Sequence, residues 1–176
     1  MNAPILIDIN IVSPLLEEHG VSCVLQGVWN PNPAEQAGAW DIVVELVTRI
    51  SVVGLHEDEG RLDSALASYA ALFDVGRAAL QRHGPTVAEE RRGELSLATI
   101  VAHILNRVIR PVTAWWHPRF GQLDDEQSAK LRETLAELSR LTTEYARVLA
   151  QACGAKEFVR YLIDDGMRYR RPASDG

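Results

Sequence analysis

The sequence predicts a mainly α-helical protein, an up-down four-helix bundle with a short N-terminal β element ahead of it and a short C-terminal helix behind it. Three observations carry that reading. Leu131, Leu135, Leu138, Thr142, Tyr145, Leu149 and Ala152 recur at an uninterrupted four-three spacing, the seam of a helix packed along its whole length. Asn32-Pro33-Ala34-Glu35, and Asp124 with Gln127, each place a capping residue three positions before a glutamate or glutamine, a helix start signal. Ile5, Ile7, Ile9 and Ile11 alternate at period two, which is strand spacing.

Residues 5–12 and 22–29 are rich in β-branched and aromatic side chains and read as two short strands. Between them, Ser13-Pro14 and Gly20 bracket one or two helical turns. The first long helix starts at Asn32 and buries Trp40, Val43, Val44, Val47 and Ile50 before Gly54 stops it. The second carries Leu62, Leu66, Tyr69, Phe73, Gly76 and Leu80 on one stripe and ends at Gly84-Pro85. TVAEERRGE then reads as a surface loop or a frayed turn. The third begins near Ser96 and buries Leu97, Ile100, Val101, Ile104, Leu105, Val108 and Val112, with Pro111 expected to kink it; His117-Pro118 closes the segment. The fourth is the Leu131–Ala152 seam, and a last short helix spans residues 156–165. One domain is expected over 1–166: the β element at 1–30, the bundle at 33–154 and the short helix at 156–165. The stretch 167–176 reads as a mobile tail.

At 176 residues, with 47% hydrophobic and 24% charged side chains, the chain can bury a core without metals or disulfides. A net charge of -6 supplies no field that would draw nucleic acid or anionic lipid, so neither partner is expected. The longest apolar stretch of the first long helix is broken by Asp41, Glu45 and Arg49, so no membrane span is expected. Cys23 and Cys153 stand alone, without CxxC spacing, and acidic Asp8 lies in the first apolar run; both fit a reducing cytoplasm rather than export. Lysine occurs only at Lys130 and Lys156, a bias towards arginine that fits a GC-rich bacterial genome.

The motifs of familiar enzymes are missing. Helical bundles that hold two metals use Glu-x-x-His, and the positions three before each histidine are Leu16, Val53, Leu80, Ile100 and Ala114. There is no Gly-x-Ser-x-Gly elbow, Walker loop or dinucleotide fingerprint, so no catalytic residue, metal or cofactor is assigned. The polar residues that stand out are His103, Asn106 and Arg110 on the third long helix, with His117 continuing their stripe, and Arg49 and Arg77 on the first and second. Two readings are open. They are solvated faces with ion pairs of about 0.3–0.5 kcal/mol each, or Arg49, Arg77 and Arg110, held by Glu45, Asp74 and Asn106, turn partly inward as one network that binds an anion or locks the helices. Trp115 and Trp116 point about 100° apart on a helix, so one caps the core and the other is a candidate partner contact.

VELVTRI at 44–50, the GRLDSALASYAALF stretch at 60–73, Gly84-Pro85, ILNRVIRP at 104–111 and Trp116-His117-Pro118 together resemble a family of uncharacterised bacterial, mainly actinobacterial, helical proteins. The resemblance covers roughly residues 40–120. That family has no assigned function, so the resemblance implies no catalytic role and only marks Arg49, Arg77, Asn106, Arg110 and His117 as positions of interest.

The function expected is therefore that of a cytoplasmic bacterial interaction or regulatory module. The alternative is a pocket for a small anionic ligand, or an enzymatic one, built from Arg49, Arg77, His103, Asn106, Arg110 and His117. Contact with a protein partner is expected at Trp115 or Trp116. A homodimer is expected as well, because two strands alone leave open edges and an isoleucine stripe that something must cover.

Overall fold

The computed structural model describes residues 3–22, 24–49, 62–89 and 93–163, the side chains of the last four excepted. Ile50, Gly54, Cys23 and the tail at 167–176 lie outside the described residues. The molecule is mainly helical with a short two-stranded sheet at its N-terminal end. β1 (Ile5–Asn10) pairs antiparallel with β2 (Val24–Trp29), Leu6 opposite Val28 and Asp8 opposite Gln26. Burial alternates along β1 as the pleat requires. Ile5, Ile7 and Ile9 are buried, while Leu6, Asp8 and Asn10 are exposed. The isoleucine stripe thus finds its cover within the chain, where β1 packs against α6 (Asp125–Ala152). One argument for a dimer falls away with that contact.

The one-turn α1 (Pro14–Glu17) joins the strands. α2 (Pro33–Thr48) starts on the capping box read from the sequence, with Asn32 Oδ1 accepting from the Glu35 amide and Glu35 Oε2 accepting from the Asn32 amide. It stops at Thr48, six positions before the expected Gly54, because Arg49 is already extended. The Thr48 hydroxyl bonds the Val44 carbonyl and competes with the next helical turn. Trp40, expected in the buried stripe of this helix, is instead 46% exposed, its ring against Phe158 of α7 (Lys156–Ile163) at 5.9 Å between centroids. Ala39, Ile42, Val43, Leu46 and Val47 take the inward face, rotating the stripe by one position.

α3 (Leu62–His83) packs on α2, and α6 lies against both. The Leu131–Ala152 seam is buried at every position read from the sequence. After α3, the expected surface loop is partly pinned. Pro85–Ala88 forms a 3-10 turn with Val87 buried, and the Leu95 amide donates to the Val28 carbonyl at 2.7 Å, so this segment lies along the outer edge of β2. A Cβ on Gly27 would stand 2.9 Å from Leu95 Cδ1, so the strand needs glycine where Leu95 comes down on it.

The third long helix is continuous but not uniform. α4 (Leu97–His103) opens on Ser96, whose hydroxyl caps the Thr99 amide. It passes through a π-helical turn over Ile104–Ile109 into α5 (Arg110–Trp116). Pro111 explains the wide turn, since it lacks an N–H and crowds the carbonyl of Arg107 four residues back. That carbonyl accepts instead from the Ser22 amide at 3.1 Å, tying the chain just ahead of β2 to the wide turn. The α-helix ends at Trp116 with His117 as its C-cap, as the His117-Pro118 pair led one to expect, and the chain continues as a 3-10 turn over His117–Gln122.

Candidate functional site

α3 and α5 run side by side, and the sequence gives each one an arginine facing the other helix. Between them lies an open groove of about 410 Å³, lined by Phe73, Arg77, Arg110, Thr113, Ala114 and His117 among others. Arg110 lays its guanidinium 4.8 Å from the Phe73 ring centroid and is steadied by Asn106, whose Oδ1 accepts from Nε at 3.1 Å. Arg77 is 67% exposed and pairs with Asp74 at 2.6 Å. The Thr113 hydroxyl is turned back onto the Ile109 and Arg110 carbonyls and offers nothing to a ligand. The groove therefore presents donors and cationic charge above an aromatic and alanine floor, which suits a carboxylate or phosphate attached to an apolar body.

Of the six residues picked from the sequence, the structure gathers Arg77, Asn106, Arg110 and His117 here and sends two elsewhere. Arg49, at the end of α2, holds Glu45 through Nε and a terminal nitrogen at 2.9 and 2.7 Å. The three arginines do not form the single inward network considered above. Each does hold the partner expected for it on its own helix, Glu45, Asp74 or Asn106, a pairing available at three- and four-residue spacing without the desolvation that an inward turn would cost. His103 leaves the stripe because the π turn after it breaks the three-four register. It lies against Tyr145 of α6, Nδ1 2.7 Å from the buried phenol oxygen, and hydrogen-bonds the backbone of Val24. Burial pushes its pKa below the ordinary histidine value, a neighbouring charge on Arg107 adding to this and the Val24 bond opposing it. That geometry makes His103 a strut between β2 and α6.

Trp115 and Trp116 divide as their spacing requires: Trp116 is 3% exposed and Trp115 is 45% exposed. Sequence reasoning missed their partner, His19, whose ring lies 5.6 and 5.7 Å from the two indoles. Both ring nitrogens of His19 and the indole nitrogen of Trp116 are buried and find no hydrogen-bond partner among the described residues. Burial lowers the His19 pKa, with repulsion from Lys130 next and Arg119 contributing, while Glu18 opposes. Arg119 stacks over Trp115 at 4.0 Å, so the exposed indole is already half-occupied by a cation.

Glu35 was also undervalued as a mere cap. Its side chain is buried, and Oε1 accepts from Trp29 Nε1 at 3.1 Å and from the Leu97 amide at 2.8 Å, so one carboxylate joins β2, α2 and the start of α4. Between α2 and α3, Asp41 forms an ion pair with Arg82 at 2.8 Å, and its carboxylate lies 2.9 Å from His83 Nε2.

Inside, a void lined by Ile42, Leu46, Leu72, Gly76, Val101 and Leu105 amounts to only about 10 Å³, at or below the room one water needs. Among the described residues, no helix is long and apolar enough to cross a membrane, and no three His, Cys, Asp or Glu side chains gather where a metal ion could be held. The chain matches no protein-family model, no functionally characterised protein and no solved structure.

Proposed function

We propose that the chain is a cytoplasmic bacterial contact module, an up-down four-helix bundle related to the uncharacterised actinobacterial helical proteins it resembles, that receives an acidic segment of a protein partner in the groove between α3 and α5. The observation that carries this reading is the placing of Arg77, Arg110 and His117 around one open groove with Phe73 as its floor. The tight apolar packing between α2, α3 and the π turn adds support, because that stretch of the interior holds no space for a substrate. An exposed arginine on an aromatic face, rimmed by polar groups and backed by a rigid helix pair, is what a contact anchor needs. A carboxylate suits the site better than a free small anion. The groove is shallow and open, so an ion alone would keep most of its water, whereas an acidic side chain beside an apolar one also covers Phe73 and Ala114.

The test compares a short peptide containing glutamate next to leucine with inorganic phosphate, each titrated into the full chain and followed by thermal stability. A ligand that binds only the native state raises the melting temperature with concentration. The peptide is expected to do so in low salt, and Arg77→Glu with Arg110→Glu to abolish the effect. Stabilisation by phosphate alone would replace the contact reading with a small-anion pocket. Stabilisation by neither, or by the peptide equally in the double variant, would overturn the assignment of the groove.

A further inference from the structure

The two edges of the small sheet are not alike. On the outer side of β2 the Val28 carbonyl accepts from the Leu95 amide, and Val24 is hydrogen-bonded by His103, so the chain covers that edge itself. Facing residues of an antiparallel pair exchange both main-chain bonds or neither, and a residue's N–H and C=O point to the same side. Because the Val28 carbonyl points away from β1, Leu6 and Val28 are a pair without mutual bonds. The main-chain groups of Leu6, and by alternation those of Asp8 and Asn10, therefore point out along the far edge of β1. Among the described residues, no backbone hydrogen bond reaches that edge.

Leu6 is also 76% exposed, and Val28, directly across from it, is 38% exposed. A strand edge with unpaired amides beside an uncovered apolar pair is a template for strand addition.

We propose that a second copy of this chain adds its own β1 antiparallel to this edge about a twofold axis at Leu6, giving one continuous sheet shared by two protomers. Symmetry limits the possible registers. The two copies of β1 must present like faces on the same side, so the axis passes through a residue, and each residue on it meets its own copy. An axis at Asp8 would set two carboxylates opposite each other, a destabilising like-charge pair. An axis at Leu6 sets Leu6 against the partner's Leu6, between Val28 and the partner's Val28, in one apolar row. It places Asp8 opposite the partner's Pro4, where there is no charge, and lets the Asp8 amide donate to the Pro4 carbonyl. On the inner face, Ile5 comes opposite the partner's Ile7, joining two stripes that α6 covers separately in each copy. The absent N–H of Pro4 marks where the pairing ends.

This interface is independent of the α3/α5 groove, and its test does not use it. Light scattering on the full chain from micromolar to millimolar concentration should give a monomer–dimer equilibrium. Leu6→Lys, exposed and so harmless to the monomer fold, should weaken the dimer at least tenfold, while Asp8→Lys should not. Exchange of the Leu6 amide should slow as concentration rises in the parent and stay fast in Leu6→Lys. A chain that is monomeric throughout, or a dimer that survives Leu6→Lys, would overturn the proposal. Equal weakening by Asp8→Lys would overturn its register.

Discussion

Replacing Glu35 with alanine tests whether a single carboxylate fastens three elements. Its Oε2 caps the Asn32 amide at 2.8 Å, and its Oε1 accepts from Trp29 Nε1 and the Leu97 amide. Trp29 is fully buried and Leu97 equally so, hence neither stranded donor can turn to water. Each buried donor left without a partner costs about 1–3 kcal/mol, and bonds to a charged acceptor lie at the upper end. Half of the capping box is lost as well, at about 0.5–2 kcal/mol. The sum for Glu35→Ala is about 2.5–8 kcal/mol, a large part of the roughly 5–15 kcal/mol that holds an ordinary domain folded. Denaturant unfolding measures it directly, and at about 2–4 °C per kcal/mol the melting temperature should fall by at least about 5 °C. Glu35→Gln keeps one oxygen but turns an amide nitrogen towards a donor, so it should lose about half as much. Amide exchange at Leu97 should quicken in both variants. A Glu35→Ala protein within about 1 kcal/mol of the parent would show that the carboxylate is only a cap.

Gly38→Ala gains about 1 kcal/mol in helix propensity, yet its Cβ would lie 2.6 Å from Leu97 Cδ2, and Leu97 is fully buried. Overpacking of about 1–3 kcal/mol should win, and a variant more stable than the parent in urea would refute the close approach. Trp116→Ala should cost about 3–5 kcal/mol, and Trp115→Ala well under half of that; equal losses would contradict the division of the two indoles. His19 gives a pH dependence of definite sign. Its pKa lies below the ordinary value in the folded chain, so between that lowered value and about 6.5 the unfolded chain binds more protons. Its contribution to stability is complete above that window and is lost as pH falls through it. Stability measured from pH 7 to pH 5 should therefore decline less steeply in His19→Phe, and identical slopes would remove His19 as the cause.

The sequence was most legible where a pattern is local. Both capping boxes and the Leu131–Ala152 seam stand where their spacing put them, because a helix start and a buried stripe are decided by residues within a few turns. The alternation in β1 was equally legible, though what covers it was not. Misreadings cluster where distant segments decide. Trp40 looked buried until α7 supplied Phe158 beside it, and nothing local says that Leu95, just past the loop after α3, settles on β2. Pro111 announced a disturbance, but whether the third long helix would kink, end or widen depended on a donor for the Arg107 carbonyl, and Ser22 is 85 positions away. In the groove, Arg77, Arg110 and His117 were visible as candidates from their helical spacing. Phe73 was visible only as a core position, since nothing local says that α5 leaves its ring half-covered for Arg110. His19 carried no signal at all, because apart from Glu18 its surroundings come from α5, α6 and the turn after α5.

The claim that the α3/α5 groove receives an acidic partner segment is tested most directly by mapping amide chemical shifts on the full chain while the glutamate-leucine peptide is added. The account predicts saturable changes centred on Phe73, Arg77, Arg110, Ala114 and His117, which weaken as salt is raised and vanish in Arg110→Glu. Changes centred on Trp115 and His19 instead, or none at these positions at millimolar peptide, would contradict it.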